Sequence, residues 1–255
     1  MRTVYVIGIG AGDPDHLTLQ AVAAMNRADV FFTIDKGEEK AELAELRATL
    51  LARHVTRPHR VVTARDPARD RSAPSGRYAG AVADWQERRA ELYERMLVDE
   101  LGEDGCGAFL VWGDPALYDG TLRILERIRN RGTVAFDVVS IPGISAVQAL
   151  AAAHRIPLNR VGRPVLVTTG RRLADKGPPA GVDDVVVMLD AVDAFAALPG
   201  DRWDIYWGAY LGTPDEALVH GPLRDVQAEI VRLRGELRSR KGWIMDTYLL
   251  RRRTR

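Results

Sequence analysis

Three turns rich in glycine and proline constrain this chain more than any other feature. They read GIGAGDPD at 8–15, VWGDPALYDGT at 111–121 and IPGISA at 141–146. Each follows an apolar, β-branched run and precedes an Ala/Leu-rich run with helical spacing. A strand that stops at a glycine turn and hands over to a helix is the repeating unit of a parallel α/β sheet. Ligands of such sheets bind outside the carboxyl ends of the strands. Three of these turns in one chain point to one shared ligand cleft.

The rest of the chain fits that frame. Residues 3–9, 29–34, 60–63, 107–112 and 134–140 read as strands, and 17–27, 41–54, 78–101, 122–130 and 144–153 as helices. Leu43, Leu46, Leu50 and Leu51 make the apolar stripe of the second helix. Further strands are expected at 165–168, 185–189, 205–210 and 243–250, with a helix at 223–238. The later strands lie closer together, so antiparallel pairing is expected among them. The boundary between an N-terminal domain, 1–113, and a C-terminal domain, 120–255, falls at the middle turn, which would then also be the hinge. Residues 64–76 read as a long basic loop, and 172–184, with Pro178-Pro179, as a flexible one. The arginines from Arg251 onward read as a solvated tail.

Composition removes several function classes. A formal charge of +1 over 255 residues lacks the basic excess of a dedicated nucleic-acid binder. The single cysteine, Cys106, excludes a disulfide framework and a cysteine-based zinc cluster, reads as a small core residue, and fits a reducing cytoplasm. No apolar run approaches the roughly 18 residues of a membrane span. The five histidines form no H-x-x-x-H or H-E-x-x-H set, so no metal site is expected.

The turns differ in what they suit. In the first, Gly8 and Gly10 match the start of a dinucleotide fingerprint, but Asp13 stands where the third glycine belongs and would repel a pyrophosphate. In the second, Gly113-Asp114-Pro115 offers close backbone approach, free carbonyls and a carboxylate, which suit hydroxyls, amines and positive charge better than phosphate. Tyr118 can stack on a planar group; alternatively, Asp114 merely caps the turn or the following helix. In the third, Ser145 either meets a ligand or caps the next helix, and Val147 in place of glycine speaks against a nucleophile elbow.

Taken together, VIGIGAGDPDHLTLQA, WGDPALYDGT and PGISAVQALAA resemble the tetrapyrrole (corrin/porphyrin) methylase family, with Ala11 where that family usually has proline. The resemblance covers essentially the whole chain. It implies an α/β fold of two αβα domains with S-adenosylmethionine in the cleft between them, leaving as S-adenosylhomocysteine. It also implies a tetrapyrrole substrate and a homodimer; from the charge, the apolar runs and the cysteine count above, neither nucleic acid nor membrane is expected as partner, and the cytoplasm is the expected location. The stretches FFTIDKGEEKAEL, RDPARDR, WGAYLGTPDEALVHGPL and GWIMDTYLLRR imply C-methylation of precorrin-5 at carbon 1 with release of the carbon-20 acetyl group as acetate.

By motif match, the resemblance places cofactor contacts at Gly113, Asp114, Tyr118, Ser145, Ala146, Met188, Ala209 and Leu211. Met188 and Leu211 also read as plain core residues. Lys36, Arg65, Arg69, Arg71 and Arg77 are candidates for the substrate carboxylates, because guanidinium pairs with carboxylate bidentately. Asp13, Asp35 and Asp114 are conceivable bases for acetyl removal, and Asp13 merits the first test. Two alternatives stand beside this reading: a methyltransferase of the same fold acting on another acceptor, and an NAD(P)-dependent oxidoreductase using the first turn.

Overall fold

The computed structural model describes residues 1–35, 37, 41–68 and 78–253. The chain forms two compact units. One comprises Met1–Gly10 and Pro14–Ile144, the other Ala11–Asp13 and Ser145–Arg255.

In the first unit, β1 (Arg2–Gly8), β2 (Val30–Asp35), β3 (Arg60–Arg65), β4 (Cys106–Val111) and β5 (Phe136–Ile141) form a sheet ordered β3-β2-β4-β1-β5. Every neighbouring pair is parallel. Helices α1 (Leu19–Met25), α2 (Ala41–His54), α3 (Tyr78–Glu100) and α4 (Thr121–Arg131) lie between the strands in sequence. The central strands β1 and β4 are apolar at consecutive positions because both faces of the sheet are covered there. Val4, Val6, Phe109 and Val111 pack with Tyr93 and Leu97 of α3 and with Ile124 and Ile128 of α4. Tyr5, Ile7, Ile9 and Leu110 pack with Ala21 and Met25 of α1 and Leu50 of α2. Half-buried Cys106 joins this second core, as a small apolar residue would. So β1 leads to a helix on one face and its neighbour β4 to a helix on the other. That divergence makes the crevice where α/β sheets bind ligands.

The expected boundary at 113–120 falls inside this unit. β5 pairs along the length of β1, from Arg2↔Phe136 to Ile7↔Ile141, and so ties residues up to Ile144 into the first sheet. The apolar run at 134–140 announces a strand but not its partner.

The second unit holds α5 (Ala146–His154), β6 (Val165–Thr169), α6 (Gly170–Lys176), β7 (Asp184–Met188), β8 (Trp203–Ala209), β9 (Ala217–Pro222), α7 (Leu223–Lys241) and β10 (Asp246–Arg252). Its sheet runs β6-β7-β10-β8-β9. Antiparallel pairing holds for β10 with β7 and β8 and for β8 with β9, whereas β6 and β7 are parallel. Trp203, Ile205, Trp207, Val185, Val187 and Tyr248 pack against Leu223, Ile230 and Leu237 of α7.

Three expectations change here. The supposed loop 172–184 begins within α6, which is capped by the Thr169 hydroxyl and closed by Gly177 at φ 65°. Strand β9, interrupted by His220 and Gly221, carries too weak a pattern to be read from sequence. The basic terminus is part of the fold as far as Arg253: Arg251 Nε lies 2.7 Å from the fully buried Asp184 carboxylate, and Arg252 and Arg253 pair with Asp183 and Asp204. A buried carboxylate demands such a cation. No helix among the described residues is long and apolar enough to cross a membrane.

Candidate active site

Because β4, β1 and β5 are parallel neighbours, their carboxyl ends lie side by side and the turns that follow them meet. Gly8 is level with Val111, and Ile7 with Ile141. Gly113 N donates to Gly10 O at 2.8 Å, and Gly10 N returns a bond to Gly113 O at 3.3 Å. A Cβ on Gly143 would sit 2.2 Å from the Gly113 carbonyl oxygen, and one on Gly8 would sit 2.6 Å from Gly143 N. Here glycine is required by contact between backbones, not by a left-handed φ.

Asp114 locks this junction. Its Oδ1 accepts from Ala116 N at 2.8 Å, and its Oδ2 accepts from Gly143 N at 2.9 Å. The turn-capping alternative is thus realised, and the same carboxylate also reaches the neighbouring turn. Tyr118 follows at φ 55°, with 42% of its surface exposed.

The second unit assembles its candidates at one sheet end. Met188 ends β7 and Ala209 ends β8, and both flank the start of β10 through the pairs Thr247↔Met188 and Asp246↔Ala209. A buried polar network clamps that end. Arg234 Nε and Trp207 Nε1 donate to Asp246 Oδ2 at 2.7 and 2.8 Å, Arg234 Nη2 donates to the Asp190 carbonyl, and the Tyr248 hydroxyl donates to Asp190 Oδ2 at 2.7 Å. Burial pushes the Asp246 carboxyl above the usual carboxylate range, against the pull of Arg234 and the Trp207 hydrogen bond. Ala209 and Leu211 are buried, Met188 is half-buried, and the adjoining Leu189 is 64% exposed. Ser145 is buried and its hydroxyl is spent as the cap of α5: Val147 N donates to it at 3.2 Å, and it donates to Gln148 Oε1. Ala146 opens that helix.

Backbone strain marks the same places. Among the described residues, the non-glycine positions at positive φ are Tyr118, Arg155, Leu189, Asp193 and Tyr210. Tyr118 is itself a cofactor candidate, Leu189 adjoins Met188, and Tyr210 lies between Ala209 and Leu211. Such conformations cost on the order of 1–3 kcal/mol each and collect at ligand sites.

Asp13 is half-buried, in the short segment Ala11–Asp13 that belongs to the second unit. Beside it, Gly12 at φ 151° leaves no room for a Cβ, which would lie 2.4 Å from Leu211 O. Asp35 accepts from Gly37 N at the exposed end of β2. Of the substrate candidates, Arg65 ends β3, exposed and level with Asp35. Lys36, Arg69, Arg71 and Arg77 lie outside the described residues. Sequence reasoning missed Arg47, whose one signal is a cation inside the leucine stripe of α2. Among the described residues no group of histidine, cysteine or carboxylate side chains is arranged to hold a metal. His154 is satisfied by the Trp207 carbonyl at 3.0 Å, and burial lowers its pKa.

Comparison with known proteins bears on this geometry. A family model described as tetrapyrrole (corrin/porphyrin) methylases matches residues 3–227. A precorrin-6A synthase (deacetylating) of Sinorhizobium sp is 51% identical over 252 residues, covering 98% of this chain and 95% of that protein. A solved structure from Corynebacterium diphtheriae, described as related to cobalamin synthesis (CobF), superposes with a TM-score of 0.82 at 39% identity, covering 98% of each chain. A uroporphyrin-III C-methyltransferase from Thermus thermophilus, complexed with S-adenyl homocysteine, shares the fold at 18% identity and a TM-score of 0.57, covering 97% of this chain and 96% of that one.

Proposed function

The chain belongs to the tetrapyrrole (corrin/porphyrin) methylase family, and we propose that it methylates carbon 1 of precorrin-5 from S-adenosylmethionine and releases the carbon-20 acetyl group as acetate. One observation carries this reading. Identity of 51% to a precorrin-6A synthase (deacetylating) runs through nearly the full length of both chains, so almost every segment of that relative has a counterpart here.

The site chemistry agrees. S-adenosylmethionine supplies the methyl group on a positively charged sulfur, and its transfer is an in-line displacement that asks the protein chiefly for positioning and exclusion of water. The groups at the turns are backbone carbonyls and amides with apolar and aromatic side chains, and they hold no cluster of cations for a pyrophosphate. Such a set fits a sulfonium and an adenine better than a dinucleotide. Gly113, Tyr118, Ala146, Met188, Ala209 and Leu211 are the residues proposed to hold the cofactor. Asp114 and Ser145 serve it by fixing the turns, since their side chains are engaged by backbone amides.

Acetate release consumes one water. Its hydroxyl joins the acetyl carbonyl carbon while the bond from that carbon to the ring breaks, and the electron pair stays with the ring. Asp13 is proposed to accept the proton from that water, and Asp13→Asn tests the role: acetate release should be lost while S-adenosylhomocysteine still binds. Normal turnover by that variant would end the assignment. Arg65, with Lys36, Arg69, Arg71 and Arg77, is proposed to meet the substrate carboxylates, and the protein is proposed to act as a cytoplasmic homodimer. Methyl-labelled S-adenosylmethionine tests the whole reading: label should pass to precorrin-5, and labelling of a different precorrin alone would overturn the substrate.

A further inference from the structure

Arg47 sits at a break in the first sheet. The ladder between β2 and β4 ends at Phe32↔Phe109, while β2 stays paired with β3 as far as Asp35↔Arg65. Carbonyls of β4 alternate sides: Asp29 N takes the Cys106 oxygen on the β2 side, and Ile9 N takes the Val111 oxygen on the β1 side. The Leu110 carbonyl therefore faces β2 just past the point where β2 stops pairing. Arg47 reaches from α2 and donates Nε to it at 3.0 Å, with Nη1 donating to the Leu43 carbonyl at 2.9 Å.

Capping an orphan carbonyl needs only one neutral donor. Arginine brings five donors and a permanent charge, and these two bonds go to neutral oxygens. Among the described residues no carboxylate lies within ion-pair distance of it, although burial works against its charge and Asp119, farther away, offsets this only in part. Asp119 is itself engaged, accepting from Thr121 N at 2.7 Å. Arg89, in the same unit, shows what a buried guanidinium ordinarily has: a two-pronged pair with Asp66 at 2.7 and 2.9 Å. Arg47 is thus a half-buried cation with no anion within ion-pair distance among the described residues, bonded to the carbonyl one residue short of the end of β4. Buried charges are paired as a rule, and an anionic group of a ligand would complete the pair.

We propose that Arg47 binds one carboxylate arm of the tetrapyrrole substrate, with Leu110 and Leu43 holding its guanidinium in place. The inference rests on the proposed methyl transfer to a polycarboxylate ring.

Arg47→Gln tests it, because glutamine keeps a neutral donor for the Leu110 carbonyl and removes the charge. Its KM for precorrin-5 should rise about tenfold, the loss of one charged hydrogen bond, with kcat within about twofold. Its affinity for uroporphyrin III, read by fluorescence quenching, should fall in parallel, and its affinity for S-adenosylhomocysteine should stay at the wild-type value. Arg47→Lys, which keeps the charge, should recover part of the loss. Unchanged KM and uroporphyrin affinity in Arg47→Gln would overturn the proposal. So would equal loss of S-adenosylhomocysteine binding, or failure of both variants to fold, since either would make Arg47 a strut for β4. If the wild-type protein neither turns over precorrin-5 nor binds uroporphyrin III, the functional reading itself fails, a result distinct from the others.

Discussion

The Asp114 carboxylate accepts from the Gly143 amide at 2.9 Å and so ties the turn after β4 to the turn after β5, with β1 lying between the two strands. Its other oxygen accepts from Ala116 N. Asp114→Ala strands the part-buried Gly143 amide, at a cost of about 1–3 kcal/mol, and leaves the exposed Ala116 amide to water. Urea unfolding should show a loss of about 1–3 kcal/mol, with S-adenosylhomocysteine affinity falling because the turns are freed. Asp114→Asn keeps one acceptor and should lose about half as much. Wild-type stability in Asp114→Ala would remove the strut role.

The same substitution should act with opposite sign at two glycines. Gly143→Ala drives a methyl to 2.2 Å from the Gly113 carbonyl oxygen and 2.8 Å from Gly8 Cα, so backbone must move. It should abolish cofactor binding and lower the melting temperature. Gly235→Ala, in the middle of α7 with nothing within 4 Å of the new methyl, should stabilise by about 0.5–1 kcal/mol through helix propensity. Parallel thermal melts check both.

Burial holds the Tyr93 phenol neutral, pushing its pKa from 10.0 up to about 12. A raised folded value stabilises fully below the unfolded pKa, and the contribution is lost as pH climbs through the folded one. The window is therefore pH 10 to 12, and the size is about 2–3 kcal/mol for a shift of two units. Tyr93→Phe should lose less stability than wild type between pH 8 and pH 11.5 in urea titrations. Identical slopes would mean that Tyr93 ionises freely.

Arg234→Met leaves the buried Asp246 without its cation, and breaking such a pair costs about 3–5 kcal/mol. Because Asp246 opens β10 beside Met188 and Ala209, cofactor affinity should drop as well. The double variant Arg234→Met with Asp246→Leu should be more stable than Arg234→Met alone. Additive losses would show that the two residues are not coupled.

The glycine turns were legible in the sequence because their chemistry is local: a strand end, a tight turn and a helix start fall within a dozen residues. Strand positions in the first unit followed for the same reason, since burial on both faces makes β1 and β4 continuously apolar. Partners were not legible. A boundary at 113–120 falls before the end of the first unit because nothing in 134–140 says that β5 lies beside β1. Arg251 looked like a tail residue because its anchor, Asp184, is distant in sequence. Asp114 was marked as a possible ligand group, yet its second oxygen is spent on an amide that no local pattern reveals. Arg47 escaped because an orphaned carbonyl exists only once strands have been laid out and one of them stops pairing.

One protein is expected both to methylate precorrin-5 and to remove its acetyl group. Purified enzyme given S-adenosylmethionine and precorrin-5 should release acetate in equal number to the methyl groups transferred, with a tetrapyrrole product lighter by one acetyl and heavier by one methyl. Methylation without acetate would contradict the deacetylating assignment, and absence of both would contradict the account as a whole.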